Sequence, residues 1–198
     1  LGGDGAEHSC KSTSLDEPLT PTNFQVKADS EQGSAGVQAL KYDKNGLFVQ
    51  NGGTRIFELT RGDGVDYDAN DITVLVPEVC GAGVARMAIQ RKPDTRIHAV
   101  LEDGTVGVAV VDRAENVMCW LDLDTRSGDL VLDVAVLPGA AGSGEDAVYY
   151  AVQRTINSAT VYYLERWALE SQCVGGSLNR QADSFVTYSG VAVATVTA

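Results

Sequence analysis

Cationic side chains are scarce in this chain of 198 residues: 15 Lys and Arg stand against 27 Asp and Glu, a net charge of −12 with both histidines neutral. Gripping a nucleic-acid backbone takes clustered Lys and Arg, so that class of partner is disfavoured on composition alone. No apolar run approaches the roughly 20 residues that span a bilayer, and no membrane insertion is expected. The start, Leu1-Gly2-Gly3-Asp4, has no basic stretch, no apolar core of a secretion signal and no initiator Met. It reads as a processed chain or a piece of a longer one.

Histidine is nearly missing, which narrows the chemistry. Only His8 and His98 are available as bases near neutrality. His8 lies in a polar leader, and His98 sits between Ile97 and Ala99, so neither is set beside a nucleophile and an orienting acid. No G-x-S-x-G elbow, G-x-G-x-x-G turn or Walker loop occurs. Gly139-Ala140-Ala141-Gly142-Ser143-Gly144 joins two apolar stretches rather than opening a helix, and reads as a flexible connector. Cys10, Cys80, Cys119 and Cys173 form no C-x-x-C pair, which argues against a zinc knuckle or a thioredoxin-like site. Two disulfides remain formally possible, while Cys119, inside Val117-Met118-Cys119-Trp120-Leu121, reads as a buried free thiol. The acidic stretch Asp63 to Asp71 has the spacing of an EF-hand opening at Asp66, Asp68 and Asn70. It has Asp71 where glycine is needed and Pro77 where the closing glutamate belongs, so it reads as a solvated turn. The expectation is a non-enzyme with no catalytic, cofactor-binding or metal-binding residues and no cofactor.

What the chain does have is valine, 25 of them, with 21 glycines and only 5 prolines. Val-rich runs punctuated by Gly, Asn and Asp are strands joined by tight turns, so the fold class is all-β. The stretch Tyr163 to Gln172 is ambiguous between helix and strand and is taken as strand. Three segments share one plan of apolar strand, loop, second strand, tight turn and third strand. The first uses 37–40, 46–50 and 55–59 around Asn51-Gly52-Gly53. The second uses 85–89, 96–101 and 106–111 around Glu102-Asp103-Gly104. The third uses 132–136, 147–152 and 160–164 around Ile156-Asn157-Ser158. The turns repeat at 51 and 53 residues from Gly53 to Gly104 to Asn157. A fourth strand is expected at 71–76 in the first unit and 117–121 in the second. Four strands in about 50 residues match a β-propeller blade. Val106 to Val111 and Ala147 to Val152 are apolar almost throughout, as strands dry on both faces should be, where a half-wet sheet would alternate. The expected organisation is an extended connector over 1–36, three blades over 37–172, and the start of a further β segment over 173–198. Tyr149, Tyr150, Tyr162, Tyr163 and Trp167 gather in the third unit, as cross-strand packing rather than a sugar platform.

Several ordered blocks resemble a family of tailed-bacteriophage tail proteins. They are Leu19-Thr20-Pro21-Thr22-Asn23-Phe24, Glu31-Gln32-Gly33-Ser34-Ala35 with Val37-Gln38, Leu47 to Gly53, Asp71-Ile72-Thr73, Val152 to Arg166, and Asp183-Ser184-Phe185 with Thr187-Tyr188-Ser189-Gly190. The likeness spans about residues 18–192. It departs from the family at Gln153 and Tyr162, where arginine is usual, and at Ser158, where glycine is. Podovirus tail nozzle proteins are the nearest comparison. The resemblance implies a virion structural protein in the phage tail, assembled in the bacterial host cytoplasm as a homo-oligomeric ring, a hexamer by that comparison. It would contact neighbouring tail and adaptor proteins and conduct DNA during ejection without binding it specifically. The alternative is a cell-surface or glycan-binding propeller module; a propeller hydrolase is a more distant third reading.

Overall fold

The computed structural model describes residues 2–13, 17–62, 67–123, 125, 128–169 and 173. The chain is all-β, and its strands belong to one compact unit, Leu1–Trp167. A leader hairpin comes first: β1 (Glu7–Ser12) pairs antiparallel with β2 (Phe24–Ser30). The segment 1–36, expected as an extended connector, therefore contains a paired hairpin. Its polar side chains concealed the strands, since Glu7 is buried through hydrogen bonds, accepting them from the Ser30 (2.5 Å) and Ser34 (2.7 Å) hydroxyls.

Three antiparallel sheets follow in chain order, each a meander whose neighbours in sequence are neighbours in space. The first contains β3 (Leu40–Tyr42), β4 (Asn45–Val49), β5 (Ile56–Arg61) and β6 (Tyr67–Asp71). After a single 3-10 turn at Pro77–Cys80, the second contains β7 (Val84–Gln90), β8 (Thr95–Leu101), β9 (Val106–Asp112) and β10 (Val117–Leu123). The third contains β11 (Leu130–Leu137), β12 (Ala147–Ile156) and β13 (Ala159–Arg166). The Tyr163 end of the ambiguous stretch is strand, as expected; residues 170–172 and 174–198 lie outside the described residues.

The middle sheet shows why an unbroken apolar run is needed. Along β8 and β9, Ile97, Ala99, Leu101, Ala109 and Val111 pack toward the first sheet, against Tyr42, Leu47, Val49 and Ile56. Their alternates Val100, Val106 and Val108 pack toward the third, against Val131, Val134, Val148, Tyr150 and Val152. Side chains alternate along a strand, so a strand with packed neighbours on both sides must be apolar at every position. The expectation of two dry faces holds for Val106–Val111 except at the half-buried Val110, and fails for Ala147–Val152. There Val148, Tyr150 and Val152 are buried, but Ala147, Tyr149 and Ala151 are only half-buried. The third sheet ends the stack among the described residues, so its outer face has no neighbour to dry it.

Two expected strands in the first sheet are displaced. The inner strand is β3 at Leu40–Tyr42 rather than 37–40. The outer strand is the acidic β6 rather than 71–76, because Asp71 turns the chain. Its Oδ1 accepts hydrogen bonds from the Thr73 amide (2.7 Å) and hydroxyl (2.6 Å), and Arg55 holds its Oδ2 at 3.1 Å. That side-chain turn competes with the ladder and ends the strand. Val74 and Leu75 are left exposed in the turn.

The repeat is written in the backbone as well. The carbonyl of Gly53 accepts a hydrogen bond from the Val84 amide at 2.8 Å, and that of Gly104 one from the Val131 amide at 2.9 Å. Each hairpin turn thus receives the first residues of the next sheet. β7 and β11 also both bulge just after entry, between Val84 and Arg86 and between Val131 and Asp133. Gly104 sits at φ +83°, and a Cβ there would stand 2.8 Å from the Leu130 side chain. Strain of this kind costs about 1–3 kcal/mol, so Gly104→Ala is expected to lower the urea midpoint clearly. Gly52→Ala, in open space at the equivalent turn, is expected to leave it nearly unchanged.

Candidate functional site

The residues weighed for chemistry scatter over the fold. His8 lies in β1 opposite Ala28 of β2, and His98 is fully buried between the second and third sheets. The described part of the acidic stretch, Tyr67–Asp71, is strand; Asp63 to Asp66 lie outside the described residues. Gly139 to Gly144 form the loop between β11 and β12, as a connector should. Among the described residues no group of three or more His, Cys, Asp or Glu side chains is placed to hold a metal ion.

The thiols correct one expectation. All four cysteines are free, but the buried one is Cys80, while Cys119 is exposed. In β10 it is Trp120 that turns inward, donating its indole N–H to the Ile72 carbonyl at 3.0 Å, and parity then sends Cys119 outward. Burial pushes the Cys80 thiol up to about 12, with Asp71 adding to the effect. A thiol reagent is expected to modify Cys119 rapidly in the native protein and Cys80 only on unfolding, which peptide mapping reads directly.

Two polar clusters fix the third sheet. At its contact with the second, His98 Nδ1 lies 2.7 Å from the Tyr150 hydroxyl and Nε2 lies 3.4 Å from Gln90 Oε1. Gln90 donates through its amide nitrogen to the Lys92 carbonyl at 2.7 Å, so its oxygen faces the ring. Nε2 is then the protonated nitrogen and Nδ1 accepts from Tyr150. Trp167 stands edge-on to the imidazole at 5.0 Å between ring centres. Burial, with Arg96 adding to it, drives His98 down to about 4, and burial alone pushes the Tyr150 phenol well above its ordinary range. The second cluster is Arg154, which forks onto Glu165 at 2.5 and 2.7 Å and reaches Asp129 at 2.8 Å. Asp129 also accepts from the Thr155 amide at 3.1 Å. The hydrogen bonds it donates to Glu165 hold the Arg154 guanidinium above its usual value.

A further tie crosses from second sheet to third. The Asp146 carboxylate accepts from the Arg91 and Lys92 amides at 2.9 and 3.0 Å, and its own amide donates to the Lys92 carbonyl at 3.1 Å. Across the other junction, Glu58 pairs with Arg113 and with Asn45 at 2.8 Å, and Arg113 lies 5.0 Å over the Tyr42 ring.

What stands open is the outer face of the third sheet. Register places Leu137, Ala135, Tyr149, Ala151, Leu164 and Tyr162 on that one side, with Asp133 and Arg166 among them. Leu164 is 75% exposed, Tyr162 68% and Leu137 54%. Exposed apolar surface of this kind marks a place of contact. The aromatic grouping noted in the sequence divides here: Tyr150 and Trp167 pack inward, whereas Tyr162 points out. Missing from the sequence reading were Asp129 and Asp146, single carboxylates in loops whose partners lie 25 or more residues away.

No family model matches the chain, and no curated protein matches it. The geometry is that of an all-β protein of stacked antiparallel sheets in which, among the described residues, the outer face of the third is uncovered.

Proposed function

We propose that this chain is a structural protein of a bacteriophage tail, part of a ring or nozzle that conducts DNA during ejection. The observation that carries the proposal is the way the sheets stack. Each of the first two sheets hands its hairpin-turn carbonyl to the next sheet, and the central strands of the middle one, β8 and β9, are packed on both faces. The third offers an apolar outer face. This supports a reading of the sheets as stacked blades with one face left for a neighbour, since repetition is how propellers protect their sheets. The ordered likeness over residues 18–192 supplies the biological setting.

Net charge fits the role. A conduit must pass duplex DNA without retaining it, and a −12 protein repels phosphate. Ring neighbours need about 800 Å² of surface per partner, and the outer face of the third sheet offers apolar area for such a contact. Electron microscopy of purified phage particles, with antibody against this chain, tests the reading. Labelling is expected at the tail below the portal; particles that carry no copy overturn it.

A further inference from the structure

We propose that Asn51 is a site of spontaneous covalent modification, at which loss of its side-chain amide unfastens the leader hairpin from the first sheet. The chain has two Asn-Gly pairs, Asn45-Gly46 and Asn51-Gly52. In such a pair the glycine nitrogen approaches the asparagine Cγ with no Cβ of its own residue in the way. The fold treats the two pairs differently. Gly46 lies in β4 between Lys41 of β3 and Leu59 of β5, so its amide is committed to the ladder. The Asn45 carboxamide donates to the buried Glu58. Asn51 and Gly52, by contrast, are both exposed at the turn between β4 and β5, and the space where a Gly52 side chain would stand is open. That turn is closed by the Gly53 amide on the Gln50 carbonyl (2.8 Å) and the Gln50 amide on the Arg55 carbonyl (2.9 Å). The Gly52 amide takes part in neither bond. The nucleophile is therefore free and wet at 51 and locked at 45.

Solvent base takes the Gly52 amide proton, and the nitrogen attacks Asn51 Cγ. A bond forms between them, the bond from Cγ to Nδ2 breaks, and that nitrogen leaves as ammonia with a proton from water. Water then opens the succinimide at one of its two carbonyls. One product is aspartate; the other is isoaspartate, whose main chain runs through the side-chain carbon. Water is the only co-reactant.

The position matters because of what Asn51 holds. Its Nδ2 donates to the Asp4 carbonyl at 2.8 Å, and its backbone amide to the Gly33 carbonyl at 3.1 Å. Beside them the Ser34 amide meets the Gly3 carbonyl at 2.8 Å, the leader's counterpart of the Val84–Gly53 and Val131–Gly104 links. The turn thus carries the leader on one side and, through Gly53, the second sheet on the other. Aspartate at 51 has no proton for the Asp4 carbonyl and sets a carboxylate against it. Isoaspartate adds a carbon to the main chain two residues before Gly53. Either product loosens the leader locally, and exposed backbone freed in this way is open to proteases.

The inference is independent of the tail reading, since purified protein tests it. The full 198-residue chain is held in mildly alkaline buffer at about 37 °C, where asparagine is thermolabile. Fragment-ion mapping then follows the tryptic peptide Asn45–Arg55, which carries both asparagines. Aspartate and isoaspartate are expected to accumulate at 51 while Asn45 keeps its amide; in urea both should convert. Gly52→Ala places a Cβ in open space and should slow the loss at 51 by about tenfold or more, because that Cβ shields Cγ. Asn51→Asp, introduced genetically, should speed tryptic cleavage after Lys11 and Lys27 in the leader several-fold and leave cleavage after Arg86 unchanged. An intact Asn51 in the folded chain, or equal loss at 45 and 51, overturns the site. Unchanged leader cleavage in Asn51→Asp overturns the fastening.

Discussion

Acidification from pH 6.5 to about 4 is expected to remove on the order of 3 kcal/mol of stability through His98 alone. The folded value lies about two and a half units below the unfolded one, at 1.36 kcal/mol per unit. A histidine depressed in the folded state must be neutral to stay buried. Its contribution is intact above pH 6.5, where both states are neutral. It falls as the unfolded state takes up a proton that the native state refuses, and it levels off below about pH 4. The neighbours offer no relief: Tyr150 and Gln90 are uncharged, Trp167 has no acceptor, and Arg96 repels a second cation. Urea titrations across this window should show the wild-type midpoint falling faster than that of His98→Gln, which does not titrate. Parallel slopes would locate the acid sensitivity elsewhere.

Arg154→Ala is expected to be the most damaging single exposed-to-core change in the third sheet, at about 3–5 kcal/mol. The Asp129 side chain is 3% exposed and that of Arg154 13%, so removing the guanidinium strands a buried carboxylate. The Arg154–Glu165 arm, with Glu165 at 28%, contributes less. The pattern across variants separates the two effects. Glu165→Gln should cost about 1 kcal/mol or less, whereas Asp129→Asn combined with Arg154→Met should recover much of the loss. Equal damage from Glu165→Gln and Arg154→Ala would show that the fork onto Glu165, not the buried Asp129, carries the energy.

The fold class and the turns were legible because they rest on backbone chemistry that composition exposes. Gly53 and Gly104 mark positive-φ turns, and β8 and β9 are apolar at both parities because both faces are packed. Parity inside such a run is another matter. In Val117-Met118-Cys119-Trp120-Leu121 nothing local says whether Cys119 or Trp120 faces inward; a shift of one residue inverts the set. Ala147 to Val152 looked equally dry because alanine and tyrosine are at home on either side of a half-covered sheet. β6 was missed for the opposite reason. Tyr67-Asp68-Ala69-Asn70-Asp71 has no apolar face to advertise it, and its pairing with β5 holds it in place. The leader hairpin hid likewise behind polar side chains. The apolar character of β13 was visible from the sequence, but its exposure was not, since exposure depends on what the neighbouring sheet fails to cover.

The turn-to-strand links at Gly53–Val84 and Gly104–Val131 carry a consequence for how the protein is made. Each joins residues about thirty positions apart, so a sheet can dock on its predecessor soon after it leaves the ribosome. Synthesis from the amino terminus then lengthens the stack one layer at a time. A nascent chain halted after β10 would already hold two finished layers, with the next surface waiting for the residues still to be translated.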